Sequence, residues 1–418
     1  MPIAIKYALY KNSDSEWLGE IPSSWPMVLL SQIVTQVKNK NSTLSEKNLL
    51  SLSYGRIKRK PIDTSGGLLP ASFDGYNIIE ANDIVLRLTD LQNDHTSLRV
   101  GLSQERGIIT SAYTTMRPKN SRGAKYLYYL LHTFDIRKGF YGMGSGVRQG
   151  LNYDEVKRLK LPLPTEEEQI AIAEFLDRKI AYIDSVIAEA KASIEEYKRW
   201  KQSIIDEAIL GYDDIHIKLR QLGTLKNGIN FSHSEATPNI KFLGVGCFKD
   251  SMVLDSIDNF ADEHIDFTVG DDYLLHDGDI VFVRSNGSKE LVGRSVLIEN
   301  ITYPLAFSGF CIRFRNMRQA LTDNLYLLYY FRTSHFKQAL LKYSNDSTNI
   351  NNLNQEMLNA ILIDAPPKER QLQIIETLTQ RINAIDCVIM EKKSLLTDLE
   401  DYKKSLIFEV VTGKRRVC

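Results

Sequence analysis

The chain has 418 residues, of which 43% are apolar and 9% aromatic, so it is long and apolar enough to form two or three domains with buried cores. Lys and Arg together number 52, Asp and Glu together number 52, and the formal net charge is zero. A protein that coats nucleic acid through charge alone would be basic, so we expect any contact with nucleic acid to be local.

The four cysteines have no C-x-x-C spacing, which argues against a disulfide framework or a zinc site and fits a reducing cytoplasm. The N-terminus lacks the apolar core of a signal peptide, and no apolar run approaches the length of a membrane span. These features predict a cytoplasmic protein that is not anchored in a membrane.

Along the chain, the first region, up to Leu163, mixes strand-like runs with one helix. The predicted strands are 49–53, 84–88 and 108–116. Residues 124–138 predict an amphipathic helix, and a glycine-rich loop, 142–150, follows it. The region is therefore predicted to be an α/β domain.

Residues 164–211 predict one long helix, because the stretch begins after a proline, ends at a glycine and contains neither residue inside. Its apolar residues recur with the 4-3 spacing of a coiled coil. The helix-pairing positions are Leu176, Ile180, Ile183, Ile187 and Ile194.

Residues 366–413 repeat this helix without a gap, at an offset of about 202 residues. The helix-pairing positions of the copy are Leu378, Ile382, Ile385, Ile389 and Leu396. We call the apolar stripe of each helix the seam; each seam is narrow, and the two are most simply buried against each other. Lys201 and Lys403 occupy the same seam position, either with only their stems on the seam and their charges in water or as residues that set the register of the helices.

Residues 214–365 repeat the order of the first domain only loosely. The predicted fold class is α+β, with two α/β domains separated by two long coiled-coil helices in a pseudo-twofold internal repeat. The predicted boundaries are 1–163 for the N-terminal arm and first domain, 164–213 for the first helix, 214–365 for the second domain and 366–418 for the second helix. A constant frame with two unlike domains suits a protein that reads two different targets.

No sequence pattern for catalysis is complete. The P-loop, the G-x-G-x-x-G phosphate loop, the G-x-S-x-G nucleophile motif and the H-E-x-x-H metal pair are all missing. The sequence therefore predicts a binding subunit with no catalytic residues, no metal and no cofactor.

The first domain is locally basic, and its densest cluster, 53–60, places a glycine beside an aromatic residue and four cations. Such a cluster suits a loop that enters a DNA groove, where Arg reads guanine edges and Lys holds phosphates, although it also fits a solvated basic turn. Arg87 follows a strand and either faces DNA or pairs with Asp90. The first-domain candidates are Tyr54, Arg56, Lys58, Arg59, Lys60, Arg87, Arg148 and Gln149.

The second domain is acidic, so partners would have to supply most of its phosphate neutralisation. Its polar loops contain Asn, which reads adenine well, but Asn-Ser-Gly loops are also common plain turns. The second-domain candidates are Lys226, Arg284, Asn286, Lys289, Asn349 and Asn351.

Taken together, these stretches resemble the specificity subunits of type I restriction-modification enzymes over nearly the whole chain. The resemblance rests on the opening from Trp17 to Trp25 and on the two helix starts at 163–176 and 366–378. It also rests on Ile183-Asp184 and Ile385-Asp386 and on the endings at 207–211 and 409–413. In the first domain it also rests on Leu52–Gly55 and Gly107–Tyr113. Asn82-Asp83 departs from the usual Gly-Asp, which stands at Gly278-Asp279.

The resemblance implies two target-recognition domains at opposite ends of an antiparallel pair of coiled-coil helices. It also implies a two-part, asymmetric target in double-stranded DNA. It also implies recruitment of two adenine methyltransferase subunits, which use S-adenosylmethionine, and of ATP-driven translocating restriction subunits. Whether the system restricts DNA or only methylates it is left open. The competing interpretation is a coiled-coil scaffold whose end domains bind proteins.

Overall fold

The computed structural model describes residues 6–62, 70, 72–143, 150–210, 215–231, 236–248, 251–342 and 352–417. The chain divides into two compact units, one made of Met1–Ala190 with Ser394–Cys418 and the other of Lys191–Lys393. Each unit therefore contains one α/β domain and a part of each long helix.

The first unit is built on a central antiparallel sheet. Its strands are β1 (Tyr10–Asn12), β2 (Glu20–Pro22), β3 (Met27–Leu29), β4 (Val34–Gln36), β5 (Leu50–Ser53), β6 (Arg56–Arg59), β7 (Asn77–Ile79), β8 (Ile84–Leu86), β9 (Val100–Leu102), β10 (Gly107–Ile109), β11 (Thr114–Pro118) and β12 (Lys160–Pro162). Its helices are α1 (Leu30–Ile33), α2 (Ala124–Ile136), α3 (Tyr153–Val156) and part of α4 (Glu166–Ile209). The central sheet has the order β4-β11-β8-β9, and its apolar face shares one core with α2 and the long helices.

The second unit repeats this plan with a larger sheet. Its strands are β13 (Ile215–Lys218), β14 (Gly223–Asn227), β15 (Ile240–Leu243), β16 (Val253–Leu254), β17 (Ala261–Glu263), β18 (Ile280–Val283), β19 (Ser295–Ile298), β20 (Leu305–Phe307), β21 (Cys311–Asn316) and β22 (Leu362–Ala365). Its helices are α5 (Leu219–Leu222), α6 (Asn324–Tyr330), α7 (Ser334–Leu341), α8 (Gln355–Ala360) and part of α9 (Lys368–Val411). The order β14-β21-β18-β19 matches the first sheet, and β16 adds a fifth strand parallel to β19.

The two long helices have 44 residues each, and their bounds are related by the offset seen in the sequence. Both begin with the same local bond, because the Gln169 side chain donates to the Pro164 carbonyl and the Gln371 side chain donates to the Pro366 carbonyl, both at 2.8 Å. These bonds satisfy carbonyls just before each helix and fix where it starts.

The helices run antiparallel within each unit. In the first unit, Asp184 of α4 pairs with Lys403 of α9, while the Tyr126 hydroxyl joins the carbonyls of Pro162 and Val411. In the second unit, Lys201 pairs with Asp386, and farther along the Lys392 ammonium lies over the Tyr197 ring. Residue numbers rise on one helix as they fall on the other, as the sequence predicts.

One predicted strand was wrong, and one predicted helix ends two residues earlier than predicted. Residues 108–116 do not form one strand, because a turn at Thr110–Tyr113 separates β10 from β11, and the Thr110 carbonyl and hydroxyl accept bonds from the turn backbone. The predicted helix 124–138 ends at Ile136, since Lys138 takes a left-handed conformation with φ of 62°.

The backbone conformation at Asn82 explains why Asn can take the place of the glycine in the Gly-Asp pattern. Asn82 has φ of 71° and Gly278 has φ of 85°, so both occupy a left-handed turn that Asn tolerates better than most residues. The next residue is the same in both domains, and its buried carboxylate accepts two guanidinium bonds from one arginine. The pairs are Asp83 with Arg117 and Asp279 with Arg315, at 2.7–2.8 Å.

Candidate nucleic-acid interface

The basic cluster at 53–60 is the two-stranded hairpin of β5 and β6, rather than the loop that the sequence predicts. Its turn consists of Tyr54 and Gly55, which have φ of 47° and 74°. Two central residues with positive φ are typical of a type I′ turn, whose twist suits a hairpin. Tyr54 is left 77% exposed at the tip.

The hairpin has an apolar inner face and a basic outer face. Leu52 and Ile57 pack over Gly101, where an added Cβ would lie 2.5 Å from Leu52 Cδ1. The absence of a side chain at Gly101 therefore lets the hairpin pack closely on β9. Because side chains alternate along a strand, Arg56 and Lys58 point to the opposite face, where both are exposed.

The four cations of the hairpin differ in whether they contact an acidic side chain. Arg59 lies on the inner face, and its Nε donates to both carboxylate oxygens of Glu105 at 2.7 and 2.8 Å. This partner raises the pKa of Arg59 and lowers the pKa of Glu105. Within the described part of the chain, Lys58 and Lys60 have no acidic partner.

Arg56 is the only cation of the hairpin that reaches a long helix in the described residues, with its Nη2 3.9 Å from Asp184. Its side chain is 73% exposed, so this contact leaves most of the guanidinium in solvent. An exposed pair of this kind contributes little to stability and is readily exchanged for a phosphate or a base edge.

Arg87 does not pair with Asp90, which was one of the two alternatives offered by the sequence. Its Nη1 lies 3.5 Å from Asp94, whose pKa is lowered by hydrogen bonds from Ser97 and by Arg87 itself. The loop that holds Asp94 is organised by the fully buried Arg99, which donates to the carbonyls of Arg87 and Thr89. Sequence reasoning missed Arg99, because nothing in its neighbourhood marks it as buried.

Five of the candidate residues have side chains that lie outside what the structure describes. Arg148, Gln149, Asn349 and Asn351 lie outside the described residues. Lys289 belongs to a 3-10 turn, Lys289–Leu291. The Leu151 amide donates to the Leu88 carbonyl at 2.9 Å, so the chain that follows Gln149 returns beside the strand end that carries Arg87.

In the second domain, the described candidate residues make contacts with other residues of the same domain. Lys226 Nζ lies 3.2 Å from Asp272 and 4.6 Å from the Tyr273 ring centroid. Arg284 Nη1 donates to the Gly309 carbonyl, while its buried Nε has no partner in the structure. The Asn286 side chain accepts a hydrogen bond from the Ser288 amide. This bond forms a local turn, which is one of the two alternatives that the sequence offers for this loop.

The helix-pairing positions are buried or half-buried. In the first unit, Leu176, Ile183 and Ile187 belong to one apolar core with Leu406 and Val410, and Ile180 and Leu396 pack against it half-buried. In the second unit, the buried positions are Ile194, Leu378, Ile382, Ile385 and Ile389.

The seam lysines do not merely extend into water. Lys201 Nζ donates to Asp386 at 2.6 and 2.7 Å, and Lys403 Nζ donates to Asp184 at 2.6 Å. Both ion pairs join one long helix to the other. The residues of the two pairs occupy equivalent positions in the two copies of the repeat.

Two exposed aromatic residues are also related by the repeat, which sequence reasoning missed. Trp200 and Tyr402 are 56% and 44% exposed, and each directly precedes a seam lysine. Scanning the aligned copies for apolar residues off the seam would have found them.

The described residues contain no group of three or more His, Cys, Asp or Glu side chains that could hold a metal ion. Among the same residues, no helix is long and apolar enough to cross a membrane. The cations of the hairpin and the contacts between the helices are therefore the features on which a functional assignment rests.

Comparison with known proteins identifies related sequences over most of the chain. Residues 22–196 and 216–396 match the family described as type I restriction modification DNA specificity domain. The type I restriction enzyme StySPI specificity subunit of Salmonella potsdam is 22% identical over 428 residues, covering 95% of this chain and 90% of the relative. The MjaVIII specificity subunit of Methanocaldococcus jannaschii is 25% identical over 424 residues, covering 95% and 94%.

Solved structures share the fold. A chain solved for complex assembly and conformational transition of the type I R-M system has a TM-score of 0.70 at 14% identity, covering 94% of this chain and 99% of that chain. The HsdS subunit from Thermoanaerobacter tengcongensis has a TM-score of 0.50 at 14% identity, covering 94% and 98%.

Proposed function

The chain belongs to the family of type I restriction-modification DNA specificity subunits, and we propose from this premise which of its parts read DNA and which hold its partners. Its role is DNA sequence specificity, and as a specificity subunit it is the non-catalytic component of its system. It binds DNA and assembles with other subunits of that system.

The first target-recognition domain, 1–163, reads one half-site through the outer face of its hairpin. Lys58 and Lys60 hold phosphates, and Arg56 reaches a base edge by exchanging its weak contact with Asp184. The observation that carries this assignment is the sorting of charge, because Lys58 and Lys60 face outward with no acidic partner among the described residues, while Arg59 is neutralised by Glu105.

The second target-recognition domain, 214–365, reads the other half-site. Its reading segment includes Arg284 and Asn286, supported by the buried Nε of Arg284, a donor for which the described residues supply no acceptor. Since the two domains differ in sheet size and in charge, the two half-sites differ and the target is asymmetric.

The partners are two adenine methyltransferase subunits and, in a restricting system, translocating restriction subunits. Two copies of one partner need two equivalent surfaces, and Trp200 and Tyr402 supply exposed aromatic residues at repeat-related positions. S-adenosylmethionine and ATP belong to these partners, and the complex works in the cytoplasm.

Selection from a pool of random DNA duplexes tests this proposal. The chain, assembled with its methyltransferase partner, is expected to enrich two half-sites with a fixed gap between them. A variant with Arg56, Lys58 and Lys60 all changed to Ala is expected to lose one half-site and keep the other. Lys11→Ala, an exposed lysine of the N-terminal arm, serves as the control.

The competing candidate is a coiled-coil scaffold with protein-binding end domains. An assembled complex that enriches no sequence would support that alternative and overturn the assignment of the hairpin.

A further inference from the structure

Two ion pairs cross between the long helices, and each joins a lysine of one helix to an aspartate of the other. The lysines are largely shielded, with side-chain exposures of 19% for Lys201 and 26% for Lys403. Asp386 and Asp184 are more open, at 48% and 37%. Each pair lies within its own unit, and the same pair therefore occurs independently twice.

The apolar seam by itself defines the axial register of the helices poorly. A shift of one helix by one heptad, roughly 10 Å, still places apolar side chains opposite apolar side chains. A lysine on the seam changes this, because a shifted register would set its half-buried ammonium against an apolar neighbour and leave the aspartate without its partner. Setting the register of a coiled coil is the best attested use of a polar group on a seam.

Other ion pairs on the same helices lack this property. Lys198 pairs with Glu195 and Lys404 pairs with Asp401, each within one helix and three residues apart. These pairs move with their helix and are insensitive to a shift of its neighbour. They are also more exposed, which makes them matched controls for the lysines on the seam.

We propose that Lys201–Asp386 and Lys403–Asp184 fix the axial register of α4 against α9, and thereby the number of base pairs allowed between the two half-sites. The four residues are positioning residues, since they act through the helices and not by touching DNA. The inference rests on the proposed function, because a spacer has meaning only if the chain reads two half-sites.

The test uses the full chain in complex with its methyltransferase partner. Duplexes carry the selected half-sites at the native spacing, at one base pair less and at one base pair more, and the dissociation constant is measured for each. We expect the wild type to prefer the native spacing, and Lys201→Glu and Lys403→Glu to reduce that preference by about tenfold. The reciprocal swap, Lys201→Glu with Asp386→Lys, should restore it to within about twofold.

Lys198→Glu and Lys404→Glu should keep the wild-type preference. Lys201→Met provides a second variant in case charge reversal prevents folding, since an apolar side chain of similar size is tolerated on a seam. A loss of affinity that is equal at all three spacings would assign the pairs a purely structural role and overturn the inference, as would a swap that restores nothing. A wild-type complex without a two-part preference would overturn the proposed function itself.

Discussion

At the scale of single residues, charge on the hairpin is sorted by strand face. Arg59 is neutralised by Glu105 on the inner face, whereas Lys58 and Lys60 stay unpaired on the outer face within the described residues. A protein with zero net charge thus concentrates its cations where a polyanion can reach them. The sequence predicts the basic cluster but not which cation lies on which face of the hairpin, because the strand face of each residue depends on where the turn begins.

Substitution of Lys58 or Lys60 by Ala should weaken DNA binding evenly across sequences. Each lost phosphate contact should lower the slope of log affinity against log salt by about 0.9. Arg56→Ala should instead relax the preference at one base position. Titrations at several salt concentrations separate these outcomes, and an unchanged slope for the lysine variants would place the outer face away from DNA.

Two buried groups on α2 should respond to pH in opposite directions. Burial, together with Lys403, lowers the pKa of His132 to about 4, so the stability it contributes is lost as pH falls from 6.5 towards 4. Burial raises the pKa of Asp135 to about 6, so the stability it contributes is present below pH 3.8 and is lost as pH rises towards 6. In the wild type the two effects oppose each other over the same window.

His132→Phe should therefore become more stable relative to the wild type as pH falls from 7 to 4.5, by about 2–3 kcal/mol. Asp135→Asn should shift the opposite way and serves as the comparison. Urea unfolding at both pH values measures the difference. Equal pH slopes in His132→Phe and the wild type would mean that His132 takes up its proton at the same pH in the folded and the unfolded chain.

At the scale of elements, the parts that repeat are the parts that the sequence predicts well. The two long helices carry their own signals, namely the bounding proline and glycine and the seam spacing. They fall within two residues of the limits 164–211 and 366–413 that these signals give. The break between β10 and β11 was missed because Thr110 turns the chain inside an otherwise strand-like run. Buried Arg99 was missed because its backbone amide and its Nε donate to Asp135 and Tyr141, which lie far along the chain from it.

The exposed aromatic residues beside the seam lysines yield a prediction about assembly. Trp200→Ala and Tyr402→Ala should each weaken binding of one methyltransferase copy, by about 30-fold if the ring is an interface anchor. Native mass spectrometry should then count one bound copy for each variant and none for the double variant.

Tyr182→Ala is the matched control. Tyr182 lies on the same helix as Trp200 and is 68% exposed, but its repeat counterpart is Ala384. Two copies bound at wild-type affinity by both the Trp200 and the Tyr402 variants would exclude these side chains from the interface.

At the scale of the whole molecule, one heptad inserted into each long helix, between the two ion pairs, should lengthen the spacer. Seven residues add roughly 10 Å, or about three base pairs, while both half-sites stay the same. Selection with the extended chain measures spacer and half-sites together. A changed half-site with an unchanged spacer would contradict the role of the helices as a ruler.

The most direct test of the central claim is methylome sequencing of cells that express this chain with its methyltransferase partner, compared with cells that lack the chain. The account predicts a two-part adenine-methylated motif with a fixed gap that appears only when the chain is present. The absence of any new motif, with the complex shown to be assembled, would contradict it.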